Sequence, residues 1–567
     1  MTGGLLNIVS YGNQNVILNS NPKKSFFKTT YAKYTNFGMQ KFRIDFTGQR
    51  NLRMSEESRF TFTVPRYAEL IMDTYLVVTL PTIWSPIYPP IVCSDAWRPY
   101  EFRWIENLGT QMIKEITFSV GGQILQRMTG KYLLAQVQRD LNGTKRFLYD
   151  TMTGNTAELN DPANFSGRRG TYPNVYYNAS QQGPEPSIRG RKLYIPLNAW
   201  FCNNSRTAFP LVALQYNELQ IDVVMRPVRD LFVTRDINYL PATTGPLTPA
   251  QVAQAPFIQP NFNEQQYQFY RFLQPPPAVD ISTTDVYSDK RTDWNADVHL
   301  LSTYCFLSAE ESRVFASQEQ KYLLKSAYEW DFKNITGSHR VELQNTMGMV
   351  ATWMFLFQRS DINLRNQWSN YTNWAYTNVI PDDVTPAPAA GTFVNPCSPS
   401  VSIGPGVEPS GTPSGLFITS DYNTENQREI LQQLGILLNG SYRENLLESG
   451  VYNYVEKYVR TSGAAPFGLY IYNFGLDADN DTYQPSGAIN MSKFSTIELE
   501  FNTYPPPLDP SANFYTICDP NSDPSVAIGV NKPQWRIYQY NYDLTVLEER
   551  YNVLTFIGGN CALMYAR

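Results

Sequence analysis

The residues that could carry out chemistry in this 567-residue chain are few and scattered. Zinc binding and Ser-His catalysis both require imidazole, and the only two histidines are His299 and His339. Neither stands in an H-E-x-x-H or H-x-H pattern, so the sequence predicts no zinc site. We interpret each histidine as a surface or sandwich-edge residue.

A possible nucleophile is Ser486, in the stretch QPSGAINMSKFSTIELEF at residues 484–501. Pro485 fixes φ and Gly487 accepts a positive φ, which favours a turn. The G-x-S-x-G pattern is absent, and the turn leads into residues that alternate at a strand's period of two. We therefore interpret Ser486 as a turn residue.

Three other motifs are incomplete. Gly121-Gly122 lacks the Lys-Ser/Thr of a phosphate loop, and Asp477–Thr482 (DADNDT) lacks the Gly and distal Glu of a calcium loop. The aromatic run Trp368–Tyr376 could stack sugars or bases, although packing under the following loop explains it better. No carboxylate pair is singled out for glycoside hydrolysis. The sequence thus predicts no catalytic, cofactor-binding or metal-binding residues, and no enzyme.

Composition favours an all-β protein. The 38 Tyr and 31 Phe suit half-buried pleated surfaces, and 39 Pro and 33 Gly supply many turns between short strands. A net charge of −5 provides no overall field for nucleic acid, so no specific nucleic-acid partner is predicted. One basic cluster stands out early in the chain, and Asp45 is the only acidic residue between its first and last members. The cluster consists of Lys23, Lys24, Lys28, Lys33, Lys41, Arg43, Arg50 and Arg53.

Cysteine spacing and the N-terminal residues bear on the compartment. The six cysteines are widely scattered without a C-x-x-C pattern, which is typical of buried thiols in a reducing compartment. Residues 1–15 lack a basic region followed by a long apolar stretch, and no run approaches the ~20 apolar residues of a membrane helix. We expect neither secretion by the usual route nor membrane integration.

The order of strand-like runs predicts two β-sandwiches in tandem. We place an N-terminal arm at 1–25, the first sandwich at 26–228, a connection at 229–274 and the second sandwich at 275–567. Helices are predicted at 131–141 and, with Ser308 and Glu311 as a capping box, at 308–316. Residues 426–440 are also helix-like, whereas the low-complexity residues from about 375 to 415 predict a long exposed loop.

Five strings occur in an order that carries a family resemblance. They are VILNSNPKKSFFKTTYAKYTNF (16–37), FSVGGQILQRMTGKYLL (118–134), LYIPLNAWFCNNSRTAFPLVALQYNELQIDV (193–223), PSGAINMSKFSTIELEF (485–501) and YNVLTFIGGNCALMYA (551–566). Together they resemble the major capsid proteins of the nucleocytoplasmic large DNA viruses of eukaryotes. The resemblance spans nearly the whole chain, with loops extended at 140–190, 375–415 and 503–533.

The resemblance implies a double jelly roll, that is, two eight-stranded sandwiches side by side. It further implies that three chains form a pseudo-hexagonal capsomer that tiles an icosahedral shell, with neighbouring capsomers and minor or penton proteins as partners. The protein is therefore expected in the virion capsid, and the capsid is expected to assemble in the host cytoplasm. Asn490 and Ser492 would hydrogen-bond to the local backbone beside the turn at Ser486.

The basic early segment has a specific expected role within such a shell. Lys23, Lys24, Lys28 and Lys33 would lie on the inner face, toward an internal membrane or minor capsid proteins. The alternative function is a jelly-roll carbohydrate-binding or host-attachment protein, with sugar sites on exposed loops. An enzyme that acts on glycosides is a further rival, which the missing catalytic set disfavours.

Overall fold

A computed structural model describes most of the chain. The described residues are 3–48, 51–88, 98–173, 185–239, 255–276, 287–344, 346–377, 379, 393–394, 402–403, 427–478, 484–507, 515–518, 527–531 and 538–565. Strands dominate these ranges, as the composition predicts, and every strand pair that forms is antiparallel.

The first group of strands runs as far as residue 307. Its members are β1 (Phe37–Ile44), β2 (Ser58–Thr63), β3 (Leu70–Thr79), β4 (Ile87–Tyr88), β5 (Arg98–Pro99), β6 (Arg103–Trp104), β7 (Ile113–Val120), β8 (Gln123–Thr129), β9 (Lys192–Pro196), β10 (Phe209–Pro210), β11 (Leu219–Met225), β12 (Phe232–Arg235), β13 (Phe257–Ile258) and β14 (His299–Leu307). One sheet has the order β1-β14-β3-β10, with β9 also on β3, and the second has the order β2-β11-β7-β8. Alternate residues of β11 are buried, as expected for a strand with one face on a core.

The second group forms another sandwich. Its strands are β15 (Gln320–Ile335), β16 (Ser338–Glu342), β17 (Met349–Arg359), β18 (Phe393–Val394), β19 (Ser402–Ile403), β20 (Leu431–Leu438), β21 (Ser441–Glu448), β22 (Leu469–Asn473), β23 (Ile489–Asn490), β24 (Ile497–Thr503), β25 (Tyr515–Cys518), β26 (Ala527–Asn531), β27 (Tyr542–Ile557) and β28 (Asn560–Leu563). Its sheets have the orders β15-β27-β17-β22 and β16-β24-β20-β21, with β23 on β17 and β28 on β27. A separate core fills this sandwich, around Trp353, Phe357 and Phe501.

Helices are short; the first two precede β1 and the others lie between strands. The α-helices are Gly3–Val9, Val16–Asn19, Leu108–Met112, Gly130–Asp140, Gly143–Thr153, Ala157–Asn160, Trp200–Asn203, Tyr270–Leu273, Ala309–Ser317 and Glu456–Arg460. Within the described ranges, no helix combines the length and hydrophobicity needed to cross a membrane.

Two of the three helix predictions are confirmed. Residues 130–140 form a helix whose first turn is capped by Thr129, and Ser308 Oγ accepts the Glu311 N–H (3.4 Å) at the start of the helix that ends at Ser317. The helix predicted at 426–440 is wrong, because Leu431–Leu438 is strand β20 between β21 and β24. Pairing on both sides outweighs the local apolar spacing there.

Two observations bear on the predicted division of the chain. Strand β14 lies between β1 and β3 in the first sheet, although a boundary at 274 assigns it to the second sandwich. The described parts of 229–274, which were predicted as a connection, also contribute buried aromatic side chains to the first core. These are Phe232, Phe269 and Phe272. The domain boundaries themselves stay a prediction.

Candidate functional site

Residues 3–36, which we call the amino-terminal arm, precede the first strand and extend beyond the arm predicted at 1–25. Its two α-helices bury no residue, and the first strand begins only at Phe37. The large apolar side chains of this arm are exposed, with Phe27 at 99%. They are Leu5, Leu6, Ile8, Val9, Tyr11, Val16, Ile17, Leu18, Phe26, Phe27, Tyr31 and Tyr34. An apolar segment of this size is typical of a surface that another molecule covers.

The predicted basic contact lies entirely on this arm. Its members are Lys23, Lys24, Lys28 and Lys33, all exposed and without an ion pair to any residue in the described ranges. Three other cations of the early cluster contact neighbours: Arg43 pairs with Asp45 (2.7 Å) and Asp297 (2.8 Å), and Arg53 pairs with Glu56. Lys41 donates to Thr303 Oγ1 (2.9 Å). Arg50 lies outside the described residues. The four lysines of the arm therefore present positive charge that no described carboxylate neutralises.

The two sandwiches meet at a buried polar contact, which we call the inter-sandwich seam (Tyr132, Arg139, Asp140, Glu549). Arg139, on the helix Gly130–Asp140, donates to Glu549 of β27 (2.8 Å) and to Asp140 (2.5 and 2.9 Å). Tyr132 Oη donates to the other oxygen of Glu549 (2.9 Å). Buried ionised groups of this kind are stable only when paired and hydrogen-bonded. The seam therefore favours one relative placement of the two sandwiches.

The electrostatics of Glu549 reflect this pairing. Burial alone would raise the pKa of the carboxyl group, but the nearby charges of Arg139 and Lys325 outweigh burial and hold the pKa below its ordinary value. Apolar packing continues the contact, because Phe209 of the first sandwich meets the Phe556 ring at 5.2 Å between centroids. These partners are far apart in the sequence, so no local sequence pattern predicts their contact.

The two histidines differ in position. His339 lies on the edge strand β16, stacked on Phe501 (6.3 Å between centroids), so the edge prediction is confirmed for this residue. His299 was also expected at a surface or edge, which is wrong: it is 7% exposed on the internal strand β14, with Nδ1 2.7 Å from the Asp297 carbonyl oxygen. The described residues contain no cluster of three His, Cys, Asp or Glu side chains arranged to hold a metal.

Ser486 lies in the predicted turn. Its hydroxyl donates to the Asp477 carbonyl oxygen (2.6 Å) and accepts the Asp477 N–H (3.1 Å), while Gly487 has φ +141°. Asn490 Oδ1 accepts the Ser492 N–H (3.1 Å), and Ser492 Oγ accepts a backbone N–H just before β17 (2.9 Å). The expected local backbone hydrogen bond is thus confirmed for Asn490, whereas Ser492 bonds to the distant backbone at Gly348.

Cysteines and the aromatic run are packed where the structure describes them. Cys305 and Cys561 are buried, and burial raises the pKa of the Cys561 thiol to about 12, which keeps it protonated. Trp368 Nε1 donates to the Asp230 carbonyl oxygen (2.8 Å), and Tyr371 is 1% exposed. Most of the predicted loop at 375–415 and of DADNDT lies outside the described residues.

Comparison with known proteins identifies the family. The model for "Major capsid protein N-terminus" matches residues 25–260, and the model for "Large eukaryotic DNA virus major capsid protein" matches residues 311–562. The chain belongs to the major capsid proteins of large eukaryotic DNA viruses. The two matched ranges together include most of both sandwiches.

Individual relatives of this capsid protein agree in length and fold. It is 25% identical to the major capsid protein of Phaeocystis pouchetii virus over the whole of both chains, and 32% identical to that of Chrysochromulina ericina virus over 45% of this chain and 46% of the other. A solved Faustovirus major capsid protein aligns with a TM-score of 0.57 at 12% identity, over 97% of this chain and 96% of the other.

A quasi-atomic description of the PBCV-1 virus capsid aligns with a TM-score of 0.56 at 17% identity, over 96% of this chain and all of the other. The fold is the predicted double jelly roll, and the protein is a structural component of a viral capsid.

Proposed function

We propose that three copies of this capsid protein form a pseudo-hexagonal capsomer, and that capsomers tile an icosahedral shell assembled in the host cytoplasm. The observation that carries the proposal is the inter-sandwich seam. Because Arg139 and Glu549 are completely buried and paired across it, one chain supplies two sandwiches in a fixed relation. Three such chains around a threefold axis present six similar walls.

The sandwich architecture suits contacts between neighbouring capsomers. Sandwiches present rigid faces, so chains can bury large areas against one another. Closed homo-oligomers with rotational symmetry are the usual outcome of such self-complementary surfaces. Penton and minor capsid proteins would occupy the positions at which the lattice of capsomers cannot continue.

Electron cryo-microscopy of the purified assembly tests the capsomer. The proposal predicts six sandwich-shaped densities around a threefold axis, with the seam helix Gly130–Asp140 joining them in three pairs. Six-fold density with one sandwich per chain, or a twofold arrangement, would contradict it.

The amino-terminal arm is proposed to lie on the inner face of the shell, against an internal membrane or minor capsid proteins. Its four exposed lysines and absence of acidic residues before Asp45 would attract an anionic surface, and its exposed apolar side chains would then be covered. Lys24 already lies 5.3 Å from the centroid of the Phe26 ring, which keeps charge and apolar surface together.

Charge reversal tests this role of the arm. Replacing Lys23, Lys24 and Lys28 by Glu should lower the yield of complete particles while leaving the purified capsomer intact. The matched control replaces the same three residues by Arg, which keeps the charge and should keep the yield. Equal particle yields from the Glu and Arg variants would exclude the contact.

A further inference from the structure

A cleft of about 950 Å³ lies between the two sandwiches and borders the seam at Tyr132. We call it the inter-sandwich cleft. Its walls include β8 and residues 326–333 of β15, and its floor includes Arg226 and Trp368. Its volume is near the upper end of ordinary ligand pockets.

Both walls are sheet edges. In the described residues β8 has a strand neighbour only in β7, and the 16-residue β15 has one only in β27. The two edges are linked at Gln126, whose Nε2 donates to the Lys325 carbonyl oxygen (3.0 Å). An unpaired edge presents a row of backbone donors and acceptors, which natural proteins usually cover.

Arg226 has no direct ion pair among the described residues, although Asp230, Glu329 and Glu57 attract its charge at longer range. Its guanidinium group lies 4.5 Å from the centroid of the Trp368 ring and makes no hydrogen bond or ion pair with any residue that the structure describes. Its Nε is shielded from solvent, and burial lowers the pKa of this side chain. A guanidinium group that is desolvated in this way is stabilised by a carboxylate in bidentate contact.

The other cations of the cleft already have acidic partners. Arg127 pairs with Glu115, Lys131 with Asp331, Lys333 with Asp543 and Lys114 with Glu57. Two further buried polar atoms in the cleft wall, Gln126 Oε1 and Ser326 Oγ, have no hydrogen-bond partner among the described residues. Among the described residues that line the cleft, Arg226 is therefore the cation without an ion pair, and a carboxylate of a ligand would supply one.

We propose that the inter-sandwich cleft binds an extended peptide segment of a partner protein, which adds as a strand to the edge of β15 and places an acidic side chain on Arg226. Strand addition satisfies the free backbone groups, and an acidic side chain supplies the missing carboxylate. The occupant is not the amino-terminal arm of a second copy, because residues 1–44 contain no Asp or Glu. The inference goes beyond the capsomer and depends on one chain only.

The test uses two labelled decapeptides of alternating Thr and Val, one with a single central Glu and the other with Gln in its place. Their binding to the purified full-length protein is measured by fluorescence anisotropy. We expect the Glu peptide to bind at least about tenfold more tightly, since it completes a charge-assisted hydrogen bond with Arg226. Equal affinities, or no binding of either peptide at millimolar concentration, would overturn the proposal.

Variants of the cleft arginines test whether Arg226 causes the preference for the Glu peptide. Arg226→Gln should abolish the preference for Glu, Arg226→Lys should retain part of it, and Arg127→Gln should leave it unchanged because Arg127 already pairs with Glu115. A preference that survives Arg226→Gln would place the peptide elsewhere and overturn the assignment.

Hydrogen exchange supplies a second readout that does not depend on a variant's folding. Outward-facing amides of β15 should exchange rapidly in the peptide-free protein and slow down when the Glu peptide is added. Protection of that edge before peptide is added would overturn the proposal, because a second copy would already cover it. A negative result would leave the capsomer proposal untouched, since the cleft lies within one chain.

Discussion

Arg139 and Glu549 lie 410 positions apart in the sequence and form an ion pair of 2.8 Å in which neither side chain is exposed to solvent. One residue belongs to a helix of the first sandwich and the other to a central strand of the second. The pair thus joins the two sandwiches, between which buried apolar packing is also continuous. A capsid subunit needs this kind of fixed internal geometry, because errors in the relative placement of sandwiches would accumulate over a shell.

Removing the arginine of this pair should be strongly destabilising. Arg139→Met leaves two carboxylates, Glu549 and Asp140, without their shared cation in a buried site. We expect a loss of about 3–5 kcal/mol in the free energy of unfolding, measured by denaturant titration with tryptophan fluorescence.

A double variant and an exposed pair serve as controls. Arg139→Met with Glu549→Gln should recover part of the loss, because one uncompensated charge is gone. Arg340→Met breaks a solvent-exposed pair with Glu500 and should change the free energy of unfolding by about 0–1 kcal/mol. Similar losses for Arg139→Met and Arg340→Met would contradict the structural role of the seam.

Gly130, the first residue of the seam helix, should not tolerate a side chain. A Cβ atom there would lie 2.0 Å from the Ile113 carbonyl oxygen and 2.8 Å from that of Thr110, so the helix would have to move. Gly130→Ala should lower the free energy of unfolding by at least about 1–3 kcal/mol, measured by denaturant titration.

The first residue of the next helix provides the matched control. Gly143 has no atom within 4 Å of its added Cβ, and alanine is the better helix former, so Gly143→Ala should be neutral or stabilising by up to about 1 kcal/mol. If both alanine variants behaved alike, the close approach of backbone at Gly130 would be refuted.

Lys457 should make stability depend on pH. Its ammonium nitrogen donates to Asn453 Oδ1 (2.7 Å) and to the Pro466 carbonyl oxygen (2.8 Å), and burial lowers its pKa to about 7. An unfolded lysine titrates near pH 10.4. Between these two values the unfolded chain binds a proton that the folded protein does not. The free energy of unfolding should therefore rise with pH across this window, by at most about 1.4 kcal/mol per pH unit.

The contribution of Lys457 is isolated by comparison with Lys457→Met. The free energy of unfolding of wild type, minus that of this variant, should increase from pH 7 to pH 10. The exposed Lys493→Met variant should show no such trend. A difference that is flat in pH for Lys457→Met would exclude a buried titrating lysine.

Local patterns in the sequence were enough for several elements. The helix at 130–140, the N-cap at Ser308 and the turn at Ser486 each depend on neighbours within a few positions, so residue types and spacing predict them. Strand β24 was predicted for the same reason, since its alternation places apolar residues on one face. The family resemblance then supplied the double jelly roll, which alternation alone cannot distinguish from other sandwiches.

Features that depend on distant pairing were missed. Strand β14 joins the first sheet beside β3, more than 200 positions earlier, and its own residues carry no sign of that partner. Leu431–Leu438 resembles a helix until strands on both sides pair with it. Arg226 is likewise an ordinary arginine in the sequence, and only the fold places it over Trp368 with no ion pair to a described residue.

The native mass of the purified protein, measured by light scattering on a single chromatographic peak, tests the central claim most directly. The account predicts a mass of three chains that stays constant over a tenfold dilution, with hexagonal outlines in negative-stain images of the same peak. A stable monomer, or an assembly whose chain number is not a multiple of three, would contradict it.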